Sequence, residues 1–419
     1  MSNQDSELDI ATHLVQSGAR GEAPKGKPTS IPIYASATYT YESMDEIDKV
    51  FAGETPDYIY TRYGNPTVAA FENVMRKVEA GATACAYGSG MAALHAALFA
   101  CELSPDASVL ASQDLYGATT NLLLNIFGAF GVKSIFANFS NLDEIRAAVS
   151  EAHPRVLIAE TISNPLLKVC DIDAIAEIAH NSGARLIVDN TFASPYLCQP
   201  LQHGADIVVH SATKFLSGHA DAMGGVAISR DAADSPALVG VMKLAGGVLS
   251  PWEAHEILRG VKTLGVRMDR HCENARTLAQ HLQNDPRIGR VYFPELIEVE
   301  KKEVVRRMLR ANQFGALVSI ELKNNSRDAA FGFMDALKLC VRSTSLGDVF
   351  TSVLHPATAS HRDLSPARRR ELGISDGLIR ISVGIESVND ILADIDQALS
   401  VSETEAAVSE PGAVATGSR

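Results

Sequence analysis

Short apolar runs alternate with segments of helical period through the middle of this chain. Ser108-Val109-Leu110-Ala111 reads as a strand and Thr119 to Phe130 as a helix. Lys133 to Phe136 and Leu142 to Val149 repeat the pair, as do Arg155 to Ala159 and Ile172 to His180. Three further strands follow, over Arg185 to Asp189, Asp206 to Val209 and Gly225 to Ile228. Brief apolar runs bounded by polar turns mark strands buried on both faces. Their alternation with helices predicts an α/β fold, with a mostly parallel sheet sandwiched by helices and ligand groups in the loops after strands. Upstream, Pro66 to about Glu79 is helical, and the turn Tyr87-Gly88-Ser89-Gly90 opens an alanine-rich helix. Gly81 to Ala86 between them is weak for a buried strand. Residues 1–60 show no strong period, and Pro28, Pro32 and Tyr34 give them extended character. After about Gly247 the pattern changes. Pro251 opens a helical run through Leu282 that holds His271 and Cys272, read as helix residues and not ligands, and a strand-like run returns at Gly377 to Glu386.

Composition adds limits. A chain of 419 residues with 46% hydrophobic content exceeds one core of ordinary size, so two domains are expected. The net charge of −13, with no basic cluster, disfavours nucleic acid and anionic membrane as partners. No apolar run approaches a membrane span, and the acidic N-terminus is not a secretory signal. Six cysteines lie scattered without CxxC spacing, as expected of reduced, packed residues in a cytoplasmic protein without a metal site.

Three charged residues stand where burial would make them costly. Lys214 follows the strand and hydroxyl cluster Val208-Val209-His210-Ser211-Ala212-Thr213 and precedes Phe215-Leu216. It is either an ion pair at a strand end or a partly desolvated amine that attacks an aldehyde. Asp189 ends the strand Leu186-Ile187-Val188. It either caps the turn before Asn190-Thr191 or, if Lys214 holds pyridoxal phosphate, keeps the pyridine nitrogen protonated. Arg380 lies inside the apolar run Leu378-Ile379-Arg380-Ile381 and needs an anion, either a ligand or Glu386. Gly88, Gly90 and Ala93 match the dinucleotide pattern G-x-G-x-x-A, but that reading leaves Lys214 and Asp189 unexplained. On either reading, free N–H groups at the helix start suit a phosphate, which points to Gly90 and Met91, helped by the hydroxyls of Ser211 and Thr213.

Val188-Asp189-Asn190-Thr191-Phe192, with Ser211-Ala212-Thr213-Lys214-Phe215 and Gly218-His219, resembles the cystathionine γ-synthase/γ-lyase family of pyridoxal-phosphate enzymes. The likeness runs from about His13 to about Leu399. It implies the fold-type-I architecture, with a large seven-stranded-type sheet, a smaller C-terminal α/β domain and an N-terminal arm that wraps a neighbouring subunit. The corresponding boundaries are 1–65 for the arm, 66–255 for the large domain, 256–400 for the small domain and 401–419 for a disordered tail. The likeness makes Lys214 the Schiff-base lysine and Tyr116 the ring-stacking, acid/base tyrosine. It also has Asn164 face the cofactor's phenolic oxygen, where the sequence alone reads an Asn-Pro turn. Tyr60 and Arg62 are expected to reach a neighbouring subunit's cofactor phosphate in a dimer of active dimers, a homotetramer. Arg380, with Ser345 beside it, is expected to clamp the substrate carboxylate.

The implied reaction is γ-elimination on a sulfur amino acid such as methionine, homocysteine or cystathionine. The alternatives are γ-replacement on an O-acylhomoserine and, more remotely, a catalytically silent cofactor-binding protein. Relatives that handle cystathionine commonly carry glutamate where this chain has Thr344, and methionine γ-lyases commonly carry cysteine where it has Ala118. Phe350 and Thr351 stand where the family has a second glutamate, so this pocket wall is expected to be apolar and to favour uncharged distal groups.

Overall fold

The structure, a computed structural model, describes Thr12 and residues 26–409. Residues from Ile33 onward belong to one compact unit, and residues up to Pro32 to another. Residues 26–32 form no helix or strand. Among the described residues, no helix is long and apolar enough to cross a membrane.

The large sheet contains β1 (Thr83–Tyr87), β2 (Ser108–Ser112), β3 (Lys133–Ala137), β4 (Val156–Glu160), β5 (Arg185–Asp189), β6 (Ile207–Ser211) and β7 (Gly225–Ser229), in the order β1-β7-β6-β5-β4-β2-β3. β3, β2, β4, β5 and β6 run parallel, and β7 is antiparallel to both β6 and β1. The expected mostly parallel sheet is therefore present. Successive side chains alternate between its faces. Leu110, Leu157, Val188 and Val208 pack with Phe71 and Met75 of the helix Pro66–Val78. Val109, Ile158, Ile187 and Val209 pack with Leu94 and Leu98 of the helix Gly90–Ala100. Within Gly81 to Ala86, weak for a fully buried strand, β1 begins and is only partly buried, with Thr83 and Ala84 half-buried. Its small residues carry little strand propensity, but all five pair in register with β7, and such pairing overrides propensity.

A second, five-stranded sheet is built from β8 (Ile288–Tyr292), β9 (Leu317–Leu322), β10 (Val341–Arg342), β11 (Ser352–Leu354) and β12 (Leu378–Ser382). Ile379 and Ile381 enter its core with Leu278, Phe333 and Ile395, while Arg380 and Ser382 face the opposite way. The run from Pro251 to Leu282 is two helices, Pro251–Val261 and Leu264–Gln283. The first helix spans the boundary expected at 255, and the break falls at Thr263, which caps the second. The last helix, Val388–Ser409, continues past residue 401, so helix stands where the disordered tail was expected to begin, and residues 410–419 lie outside the described residues. Its Ile391, Ile395, Ala398 and Leu399 pack into the small-sheet core, which anchors the helix.

Beneath the C-terminal ends of β4, β5 and β6 lies a buried polar knot. His210 Nε2 and Glu79 Oε1 are 2.6 Å apart, at 1% and 0% side-chain exposure. Asn190 Nδ2 donates to the same Glu79 oxygen at 3.1 Å, and Thr161 Oγ1 donates to Asn190 Oδ1 at 2.8 Å. Buried polar groups joined in this way fix the strand ends relative to one another.

Candidate active site

In the large sheet β3 and β4 lie on opposite sides of β2, so the chain reverses direction at the β2–β4 crevice. Open α/β sheets bind ligands at such a switch point, beyond the carboxyl ends of the strands. Here the crevice is bridged directly, because the Tyr116 N–H donates to Glu160 Oε1 at 2.6 Å. The second Glu160 oxygen accepts the Asn164 N–H at 3.2 Å. The sequence reading passed over Glu160, although it ends an apolar strand as Asp189 does. The two acids are cross-strand partners. Burial, then the Asp189 charge, push the Glu160 carboxyl well above its usual range, against the pull of the two N–H groups. Asp189 is also raised by burial, and the Thr191 hydroxyl and N–H and the charge of His210 oppose the shift.

Lys214 sits in a tight turn after β6, where its N–H donates to Ser211 O at 3.3 Å and its carbonyl accepts Gly218 N–H at 2.8 Å. Phe215 and Leu216, both buried, anchor the turn. The Lys214 amine donates to Ser345 Oγ at 3.2 Å. It forms no ion pair among the described residues, which removes the strand-end ion pair as its role. Burial lowers its pKa first and the Arg380 charge adds to that, while Asp348 opposes both. A lysine so placed loses its proton more readily than an exposed one.

Arg380 Nη1 donates to Asn164 Oδ1 at 2.9 Å, and Nη2 to the Ser345 carbonyl at 3.2 Å. Its Nε is buried without a partner, and burial pushes the guanidinium down to about 10. Glu386 instead holds the Thr351 hydroxyl at 2.9 Å and its N–H at 2.5 Å, so the pairing of Arg380 with Glu386 does not form. The same bonds take Thr351 out of the expected apolar wall. Thr344 is exposed.

The helix Gly90–Ala100 begins against the ends of β6 and β7. A Cβ on Gly90 would meet Ser211 Cβ at 2.7 Å and its Oγ at 3.1 Å, and one on Gly225 would meet Ser89 O at 2.2 Å. Ser89 caps the N–H of Ala92, and the first two helical N–H groups, of Gly90 and Met91, have no intrahelical acceptor. Thr213 behaves differently from Ser211. Its hydroxyl accepts Gly224 N–H at 3.1 Å and lies 3.3 Å from Gly224 O, so it braces the turn. Tyr116, 41% exposed, stands at the crevice. Tyr60 and Arg62 contact none of these residues. Arg62 donates to Lys243 O at 2.7 Å and lies 5.3 Å and 4.8 Å from the ring centroids of Tyr60 and Tyr63.

This arrangement fits pyridoxal phosphate on structural grounds. The helix start, crowded by Ser211 and too tight for any side chain at Gly90, offers the free N–H groups that suit a phosphate. The desolvated Asp189 lacks a direct cationic partner among the described residues, which a pyridinium would supply. Fold and site together define an α/β enzyme that works through this cofactor. The chain belongs to the Cys/Met metabolism PLP-dependent enzymes, whose family model matches residues 11–400. It is 41% identical over 372 residues to an L-methionine gamma-lyase of Fusobacterium nucleatum, covering 88% of this chain and 93% of that one. It is 39% identical over 398 residues to an O-succinylhomoserine sulfhydrylase of Pseudomonas aeruginosa, covering 94% and 97%. A crystal structure of cystathionine gamma synthase from Xanthomonas oryzae pv. oryzae superposes with a TM-score of 0.84 at 34% identity, covering 90% of this chain and 94% of that one.

Proposed function

We propose that this enzyme eliminates the γ-substituent of a sulfur amino acid, giving a 2-oxo acid, ammonia and a thiol. γ-Replacement on an O-acylhomoserine is the second reading, favoured by the similarity to the sulfhydrylase. One observation carries the substrate class: Lys214 and Arg380 hold the same residue, one on the Ser345 hydroxyl and the other on its carbonyl, each at 3.2 Å. An α-carboxylate on Arg380 therefore brings the neighbouring Cα to the lysine. Bound pyridoxal phosphate supplies the electron sink that makes the Cα proton removable. Lys214 takes that proton as the free amine and then moves the proton at Cβ. Asp189 would keep the ring nitrogen protonated, and Tyr116 would stack on the ring. Arg380 holds the Asn164 amide by its oxygen, which would leave Nδ2 for the phenolic oxygen. Gly90, Met91 and Ser211 would take the phosphate, with Thr213 supporting the turn.

No glutamate stands at Thr344 or at the buried Thr351, so a distal ammonium finds no exposed acid in that turn, and a desolvated ammonium without an anion is costly. Uncharged distal groups are expected to be preferred over cystathionine by about 1–3 kcal/mol, because a pocket that merely lacks a counter-charge rejects only weakly. Comparing kcat/KM for cystathionine, homocysteine, methionine and O-acetylhomoserine, with and without sulfide, tests both readings. Cystathionine as the best of the four would end this account of Thr344.

We further propose an active dimer, paired into a homotetramer, in the cytoplasm. Support for the dimer comes from Arg62, which pairs with no carboxylate among the described residues and lines a cavity with the exposed Phe51 and Leu244. The reduced state of the cytoplasm suits the six free, buried cysteines. Subunit mixing of Arg62→Ala with Lys214→Ala is expected to restore activity, since hybrid dimers regain one intact site. Proven exchange without recovery would put Arg62 in its own subunit's site or outside both.

A further inference from the structure

Asp348 is a carboxylate that the chemistry above leaves unused. It is 1% exposed, and among the described residues its oxygens have only the Ala220 N–H and the Ser345 side chain nearby, neither at full hydrogen-bond geometry. It lies in the turn Ser345-Leu346-Gly347-Asp348, which is clamped onto the lysine loop. Val349 N–H donates to Gly218 O at 2.9 Å, and a Cβ on Gly347 would meet Phe215 N at 2.7 Å. A buried carboxylate stays ionised only beside compensating charge. Two cations face it, Lys214 and Arg267 of the helix Leu264–Gln283. Arg267 spends its donors elsewhere: Nη1 on Phe215 O at 2.8 Å, Nη2 on Gly260 O at 2.8 Å and Leu216 O at 3.4 Å, and Nε on Thr263 Oγ1 at 3.1 Å. The Lys214 amine makes one hydrogen bond among the described residues, to Ser345 in the same turn. Ser345 and the Ala220 N–H favour the ionised carboxylate, and Asp221 opposes it. From the other side, Arg380 repels the amine's proton.

We propose that Asp348 is a positioning residue for Lys214, a built-in counter-ion against which the freed amine gains and loses its proton. In this role it sets the pH at which the lysine becomes a nucleophile and a base. The inference rests on the reading of Lys214 as the residue that captures the cofactor.

The test follows pyridoxal phosphate capture by the cofactor-stripped full-length chain, from visible absorbance, across pH. Capture needs the neutral amine, so its rate rises with pH through the lysine's titration. The ratio of variant to wild-type rates cancels the titrations of the cofactor itself. Removing a nearby anion lowers a lysine pKa, so in Asp348→Asn the rise is expected about one pH unit or more lower, with capture on the acid side about tenfold faster. Asp348→Glu is expected to keep the wild-type midpoint. An Asn variant with a lowered melting temperature and an unmoved midpoint would make Asp348 merely the counter-charge of Arg267 and overturn the proposal. If Asp348→Asn does not fold, Asp348→Ser carries the same comparison. A wild-type chain that captures no cofactor would overturn the proposed function itself, a different failure from an unmoved midpoint.

Discussion

Lys214→Ala is expected to lose turnover by about 10⁴-fold or more, and after dialysis to lose the visible absorbance that the wild-type enzyme retains. Two roles disappear together: the attachment point for the cofactor, and the amine that takes the proton from Cα. The fold should survive. Only one hydrogen bond goes, and its partner, the half-buried Ser345 hydroxyl, is left unpaired at a cost of about 1 kcal/mol. The paired measurements are therefore activity, absorbance of the dialysed protein and melting temperature. A variant with wild-type kcat/KM would sink the mechanism. A variant that has lost its tertiary structure would transfer the question to Lys214→Arg, which keeps the charge and cannot attack an aldehyde.

Arg380→Ala is expected to lower kcat/KM by about 2–5 kcal/mol, roughly 30- to 5000-fold, the usual cost of removing one partner of a buried charged contact. The guanidinium stands on β12 at 2% exposure, and its bonds to Asn164 and Ser345 join the loop after β4 to the turn before β11. Its loss should raise KM and also lower kcat, because a misplaced carboxylate carries Cα away from Lys214. Arg380→Lys is expected to recover little, since an ammonium has no fork to hold Asn164, Ser345 and a carboxylate together. The measurement is steady-state kinetics of both variants beside the wild type, at saturating cofactor. Wild-type KM in Arg380→Ala would remove the arginine from carboxylate recognition.

Both predictions concern residues that stood out in the sequence, for a shared reason. A charge inside or at the end of an apolar strand is expensive, and that expense is legible in its immediate neighbours. The same logic applied to Glu160 but was not drawn. In isolation a strand-ending acid is ambiguous, and only the pairing of β4 with β5 sets it beside Asp189. Short-range periodicity likewise determined the alternating strands and helices of the large sheet, the glycine turn before Met91 and the placement of Tyr116 after β2.

Tertiary structure decided what depends on residues far apart in the chain. It made a strand of Thr83–Tyr87 through pairing with β7, where propensity was too weak. It turned the Thr213 hydroxyl toward Gly224, where the sequence alone reads a phosphate partner, and Thr351 toward Glu386, where it reads part of an apolar pocket wall. It anchored the last helix in the small-sheet core through Ile391, Ile395, Ala398 and Leu399, and the helix continues past residue 401, where composition read disorder. It also brought the turn Ser345-Leu346-Gly347-Asp348 against the lysine loop and against Arg380. Local free energy is written in neighbouring residues, so sequence alone determined the elements and the costly charges. Which costly charge meets which partner is fixed by packing two sheets together, and no local stretch of sequence carries that information.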